Sequence, residues 1–183
     1  MQRKRSPKLT PQQVAYAARF VADYINAQRQ RFSAGALSLT RSQRSKVGSF
    51  FLPQVLDAAR VLMLYGESIE NPPYYPFLAE MGFPSLPDFS GMYVITFRDV
   101  VVTRMQLADS SLFIELVHAE QYRQLGVLRF WQLYLSEFFS RPSIATALQS
   151  HAYYLESKFS RNPEQRFSVA DEVADWVTKN GRC

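Results

Sequence analysis

The chain has 183 residues, of which 47% are apolar, 14% aromatic and 20% charged, a composition that builds a hydrophobic core and excludes a wholly disordered chain. No apolar run approaches the roughly 18 residues of a membrane-crossing helix, and the lone cysteine, Cys183, excludes a disulfide framework and a cysteine-based zinc cluster. The formal charge of +5 is concentrated in the first eight residues, where Arg3, Lys4, Arg5 and Lys8 stand without an acid; the remaining seventeen basic side chains nearly balance sixteen acidic ones.

Residues 1–8 therefore read as a flexible basic tail, and 9–183 as one domain opening with helices over about 9–50. The body shows no basic–aromatic pattern for specific nucleic-acid binding. No apolar segment of the secretory type follows the tail, and cytoplasmic residence is the expectation. Thr10-Pro11-Gln12-Gln13 spells a helix start, with Thr10 as cap, Pro11 in the first turn and Gln13 completing a capping box. Val14, Ala17, Ala18, Val21 and Ile25 then recur at helical spacing, to about Arg31. A short helix starts at Thr40, and another turn or two follows Pro53.

The run 61–65 reads as a buried strand ended by Gly66. Residues 74–81 form a short helix, and 82–90, with Pro84 and Pro87, an ordered loop. Residues 92–97 and 100–103 read as two strands joined by Arg98-Asp99. From Ala108 onward the pattern is helical, over 108–124, 127–140, 143–158 and 163–179, with breaks at Gly126, Arg141-Pro142 and Asn162-Pro163. The fold class is α+β: a small sheet among helices.

The chemistry concentrates in Ser111 to Tyr122. Glu115 and His118 share one helical face, with Tyr122 a turn further on, amid Leu112, Phe113, Leu116 and Val117. A carboxyl and an imidazole in so apolar a setting are either paired within the fold or used as an acid–base couple. Glu120 and Glu156 read as solvated or paired. No Gly-rich phosphate loop or nucleophile elbow is present.

This segment, I-E-L-V-H-A-E-Q-Y from Ile114 to Tyr122, resembles the active helix of small gluzincin-like zincin metallopeptidases, H-E-L-V-H-x-x-Q-Y. In that pattern two histidines one turn apart bind Zn²⁺, and the glutamate activates the bound water. The resemblance spans roughly residues 58–160. It places Glu115 as the base, His118 as the second histidine, and Ile114 at the first. It places Gln149, in Leu148-Gln149-Ser150-His151-Ala152-Tyr153, at the third ligand, a glutamate in the family. It also puts the strand Val100 to Arg104 along the cleft, as an edge that could pair with a peptide, with Arg104, Tyr122 and Tyr153 among the binding groups. His151 lies about 200° from Gln149 around a helix, so the two do not share a face.

With Ile114 and Gln149 in place of ligands, the resemblance implies a metallopeptidase-like protein without its zinc site and without a cofactor. Its old cleft would bind a peptide or an apolar small molecule. Two alternatives stay open: a metal-free acid–base enzyme (isomerase, cyclase or hydrolase) working through Glu115 and His118, and a zinc hydrolase with atypical ligands. Oligomeric state is not readable.

Overall fold

A computed structural model describes residues 9–83, 85–141 and 145–180; the basic segment 1–8, Pro84, Pro142 and Cys183 lie outside them. The elements follow in the order α1 (Pro11–Ser33), β1 (Leu37–Ser38), α2 (Arg41–Val47), α3 (Pro53–Ala58), β2 (Arg60–Met63), α4 (Tyr75–Glu80), β3 (Val94–Phe97) and β4 (Val100–Thr103). Four helices close the chain: α5 (Asp109–Leu125), α6 (Val127–Ser140), α7 (Ala147–Arg161) and α8 (Val169–Asn180). The architecture is α+β.

The strands form one mixed sheet in the order β1-β2-β4-β3. β2 and β4 run parallel, in register from Arg60↔Val100 to Met63↔Thr103, and β3 and β4 form the antiparallel hairpin. Alternation sorts the side chains to two faces. Ile95, Phe97, Val100 and Val102 join a core cluster with Val21, Tyr24, Ile25 and Phe32 of α1. Ring centroids of Phe32 and Phe97 are 5.6 Å apart. On the opposite face Thr96 meets α5. Beneath α5 lies a second cluster, built from Phe50, Phe51, Val55, Leu112, Phe113, Leu155, Phe159 and Val173. So α5 lies between the sheet and this second core, which places Glu115 in the interior.

Local signals set most boundaries. Thr10 and Gln13 form the reciprocal capping box that starts α1, and Thr40 and Gln43 do the same for α2. Gly126, at φ 73, separates α5 from α6 in a backbone region that glycine enters without the Cβ clash. Among the described residues no helix is long and apolar enough to cross a membrane.

Three expectations are corrected. The last helix starts at Val169, not at Asn162-Pro163, because the Ser168 hydroxyl accepts from the Asp171 amide (3.2 Å) and caps the helix there. The run 61–65 is not a buried strand throughout: β2 is half-buried and ends at Met63, and Tyr65 is 87% exposed. The segment Val100 to Arg104 is not an edge. β4 is paired on both sides and fully buried, so its backbone is already used, and β1 and β3 are the outer strands.

Candidate functional site

Helix α5 carries most of the site, and its sequence decides which groups go inside. Its buried positions include Leu112, Phe113, Leu116 and Val117, but also Glu115, Glu120, Gln121 and Tyr122. A helix with apolar residues around so much of its surface is buried on several sides, and each polar side chain on it needs a partner.

Glu115 finds its partner on β3. The Thr96 hydroxyl donates to carboxylate Oε2 at 2.7 Å and lies 3.2 Å from the Glu115 backbone oxygen. Burial pushes the carboxyl pKa up, opposed by the nearby His118 and by the Thr96 bond. Desolvation dominates because a carboxylate loses far more hydration than one hydroxyl returns. The group is a buried acid whose pKa lies above the ordinary carboxylate value.

His118 does not hydrogen-bond Glu115. Its Nδ1 lies 2.8 Å from Gln121 Oε1. The Gln121 amide nitrogen donates to the Leu148 carbonyl (3.1 Å) and reaches His151 Nδ1 at 3.5 Å. His151 stacks on Trp176 of α8, with centroids 5.5 Å apart and planes at 13°. Burial holds the His151 pKa below 6.5, with Glu172 acting the other way and His118 and Lys158 reinforcing the drop. The two histidines of the chain are thus joined through one glutamine across α5 and α7. In the sequence Gln121 stands out only as the glutamine of the Q-Y motif tail, with no role toward either histidine. The signal that could have found it is its place three residues after His118, the spacing that puts two helical side chains in reach.

The other expected site residues divide. Gln149 is not aimed at His118. Its Oε1 accepts from the Thr146 backbone amide (3.0 Å), and its backbone N–H donates to the Thr146 hydroxyl, a capping box that starts α7. The spelling Thr146-x-x-Gln149 repeats that of Thr10 and Thr40, and carried this local meaning. Ile114 is half-buried against the second core. Tyr122 is buried, stacked on Phe130 at 4.0 Å, and its hydroxyl accepts from Trp131 Nε1 at 3.0 Å. Tyr153 is 50% exposed. Arg104 lies at the far end of the sheet from the Arg98-Asp99 turn, its guanidinium 3.4 Å from the Ser90 carbonyl and 5.8 Å from the Tyr93 ring centroid. Glu120 is paired and buried, held by Arg123 in a two-bond fork and by Gln124. Glu156 is paired with Ser160.

A cavity of about 160 Å³ opens between α3, the Arg98-Asp99 turn and α5. Val55, Ala58, Ala119 and Tyr122 give it apolar walls, and Gln54 and Arg123 a polar margin. Ala119 is one helical turn beyond Glu115, so the cavity and the buried acid lie along one stripe of α5. β3 offers a second feature. The Arg104 amide bonds the Tyr93 carbonyl, and β4 turns its Asp99 and Thr103 carbonyls to β2. The alternation leaves the Val94 and Thr96 backbone groups facing away from β4.

Among the described residues no group of three or more His, Cys, Asp or Glu side chains stands together as a metal cluster. Neither a family model, nor a curated protein, nor a solved structure matches the chain.

Proposed function

We propose that this is a zincin-like protein whose catalytic metal site has been converted into fold-stabilising bonds, and that it works by binding a small apolar molecule or a peptide segment beside α5. One observation carries the reading. Each polar side chain standing at a position of the degenerate motif is already committed inside the protein: Glu115 to Thr96, His118 to Gln121, and Gln149 to the α7 cap. Ile114, at the remaining ligand position, is packing material. A carboxyl sealed inside the fold beneath Thr96 is poorly placed to activate water. A neutral amide tied into a cap makes a poor zinc ligand.

The binding half of the proposal draws on the cavity walled by Ala119 and Tyr122, whose apolar sides and few polar groups suit a small molecule. The peptide form has less behind it: β3 has no strand on its outer side, where an extended segment could add, but Ile95, Thr96 and Phe97 are buried. The acid–base alternative has one point in its favour, the raised pKa of Glu115. Against it, the carboxyl is 6% exposed as a residue and roofed by Thr96, which keeps it from a substrate.

The test is the metal content of protein purified without chelator or metal affinity resin. Substoichiometric zinc, with Glu115→Gln folding and binding as the wild type does, is the expected result. Stoichiometric zinc would overturn the proposal. Restoring Ile114→His together with Gln149→Glu should create zinc affinity if the family alignment holds, and none if it does not.

A further inference from the structure

We infer that Gln121 is a positioning residue that fixes His118 in the tautomer protonated at Nδ1, so that Nε2 offers a lone pair to a ligand carrying an N–H or O–H donor. The argument starts at Leu148. A backbone carbonyl only accepts, so the Gln121 group facing it at 3.1 Å must be the NH₂. That fixes the amide, and its oxygen then faces His118 Nδ1 at 2.8 Å. An amide oxygen only accepts as well, so Nδ1 carries the proton and, in the neutral ring, Nε2 carries the lone pair.

The same amide sets His151 the opposite way. Its Nδ1 faces the Gln121 NH₂ at 3.5 Å and is the acceptor. One glutamine, anchored by one carbonyl, therefore holds the two rings in contrasting tautomers.

Nε2 of His118 has no hydrogen-bond partner among the described residues. Since no buried side-chain nitrogen or oxygen there lacks a partner, this atom reaches solvent. Around the ring, Ile114 lies one turn back on α5, the Phe130 ring stands 6.2 Å away and nearly perpendicular, and the buried Glu115 carboxyl is near. A preset acceptor beside apolar surface selects a ligand with a donor set in a hydrophobic body, because a donor bond in such a setting is strengthened and a mismatch leaves a polar atom unpaired. The inference goes beyond the proposed function, whose cavity is walled by Ala119 and Tyr122 and not by His118, and the tautomer stands on different atoms.

Long-range proton–nitrogen correlation of the full chain, above the imidazole titration range, reads each ring directly. Expected are a pyrrole-type Nδ1 and pyridine-type Nε2 for His118, with the reverse for His151. Gln121→Leu should return His118 to the Nε2–H form, and Gln121→Glu, which keeps an acceptor for Nδ1 but has no N–H for His151, should retain the wild-type form at His118 alone. An Nε2–H ring in the wild type, or an unchanged ring in a folded Gln121→Leu, overturns the assignment. Should that variant not fold, the ring assignment in the wild type decides alone. For the ligand class, indole should move the His118 Nε2 resonance more than 1-methylindole, which lacks the donor; an equal or absent response to both overturns that part. Stoichiometric zinc in the earlier test would leave the tautomer result standing, so the two proposals fail separately.

Discussion

Glu115 and His151 are buried groups that titrate in opposite senses, and their signs can be worked out separately. The Glu115 carboxyl has its pKa raised above 4.5 by burial. The folded state then binds more protons than the unfolded chain, so the contribution of this group is fully present below the ordinary value and is lost as pH rises through the folded one. Glu115→Gln keeps an acceptor for Thr96 and removes the ionisation. It should raise stability at neutral pH and abolish that component of the pH dependence. His151 has its pKa lowered below 6.5, so the unfolded chain binds more protons and stability falls as pH drops below that value. His151→Gln should flatten this acid-side loss. Thermal unfolding of the two variants from pH 4 to 8 checks both; matching wild-type curves would show that neither group is as buried as its bonds imply.

At the scale of single elements, the capping boxes and the hairpin turn give the sharpest expectations. Thr146→Ala removes the acceptor for the Gln149 amide and should cost about 1 kcal/mol, while Gln149→Glu, an equally good capping partner, should cost little. If Gln149→Glu instead collapses the fold, the cap is not what holds that side chain. The Arg98-Asp99 turn holds Arg98 at φ 65, a region costing a non-glycine residue about 1 kcal/mol or more. Asp99 pins the turn to α1 through two bonds to Arg29 at 2.7 and 2.8 Å. Arg98→Gly should leave stability unchanged or raise it by under about 1 kcal/mol, and Asp99→Ala should lower it by about 1 kcal/mol; chemical denaturation measures both. These elements were legible because their signals span three or four residues. The α1 core face from Val14 to Ile25 and the break at Gly126 fall where the spacing placed them. Thr146-x-x-Gln149 was equally legible, but the family resemblance drew Gln149 to a distant metal position and hid its local partner.

At the scale of the whole molecule, legibility ends where pairing becomes non-local. Nothing within Val100 to Thr103 says that both its edges are occupied; that depends on β2, forty residues earlier along the register Arg60↔Val100. Nor does the spacing of Glu115 say that Thr96 will meet it, since that bond exists only once the hairpin is laid on α5. The same non-locality makes Phe113 decisive. It is fully buried, stacked on Phe159 of α7 at 4.5 Å, and packed edge-on against Phe50 and Phe51. It therefore joins the α2–α3 segment, α5 and α7 in one cluster, with Val169 and Val173 of α8 beside them. Phe113→Ala should cost about 3–5 kcal/mol, a large share of the roughly 5–15 kcal/mol that holds a domain together. The loss should be global, because α5 also carries the face that closes on the sheet. Hydrogen exchange distinguishes the cases. Amides of β4 and α7 should lose protection together in Phe113→Ala, whereas loss confined to α7 would mean that the two cores are separable and that the site on α5 does not depend on the second one.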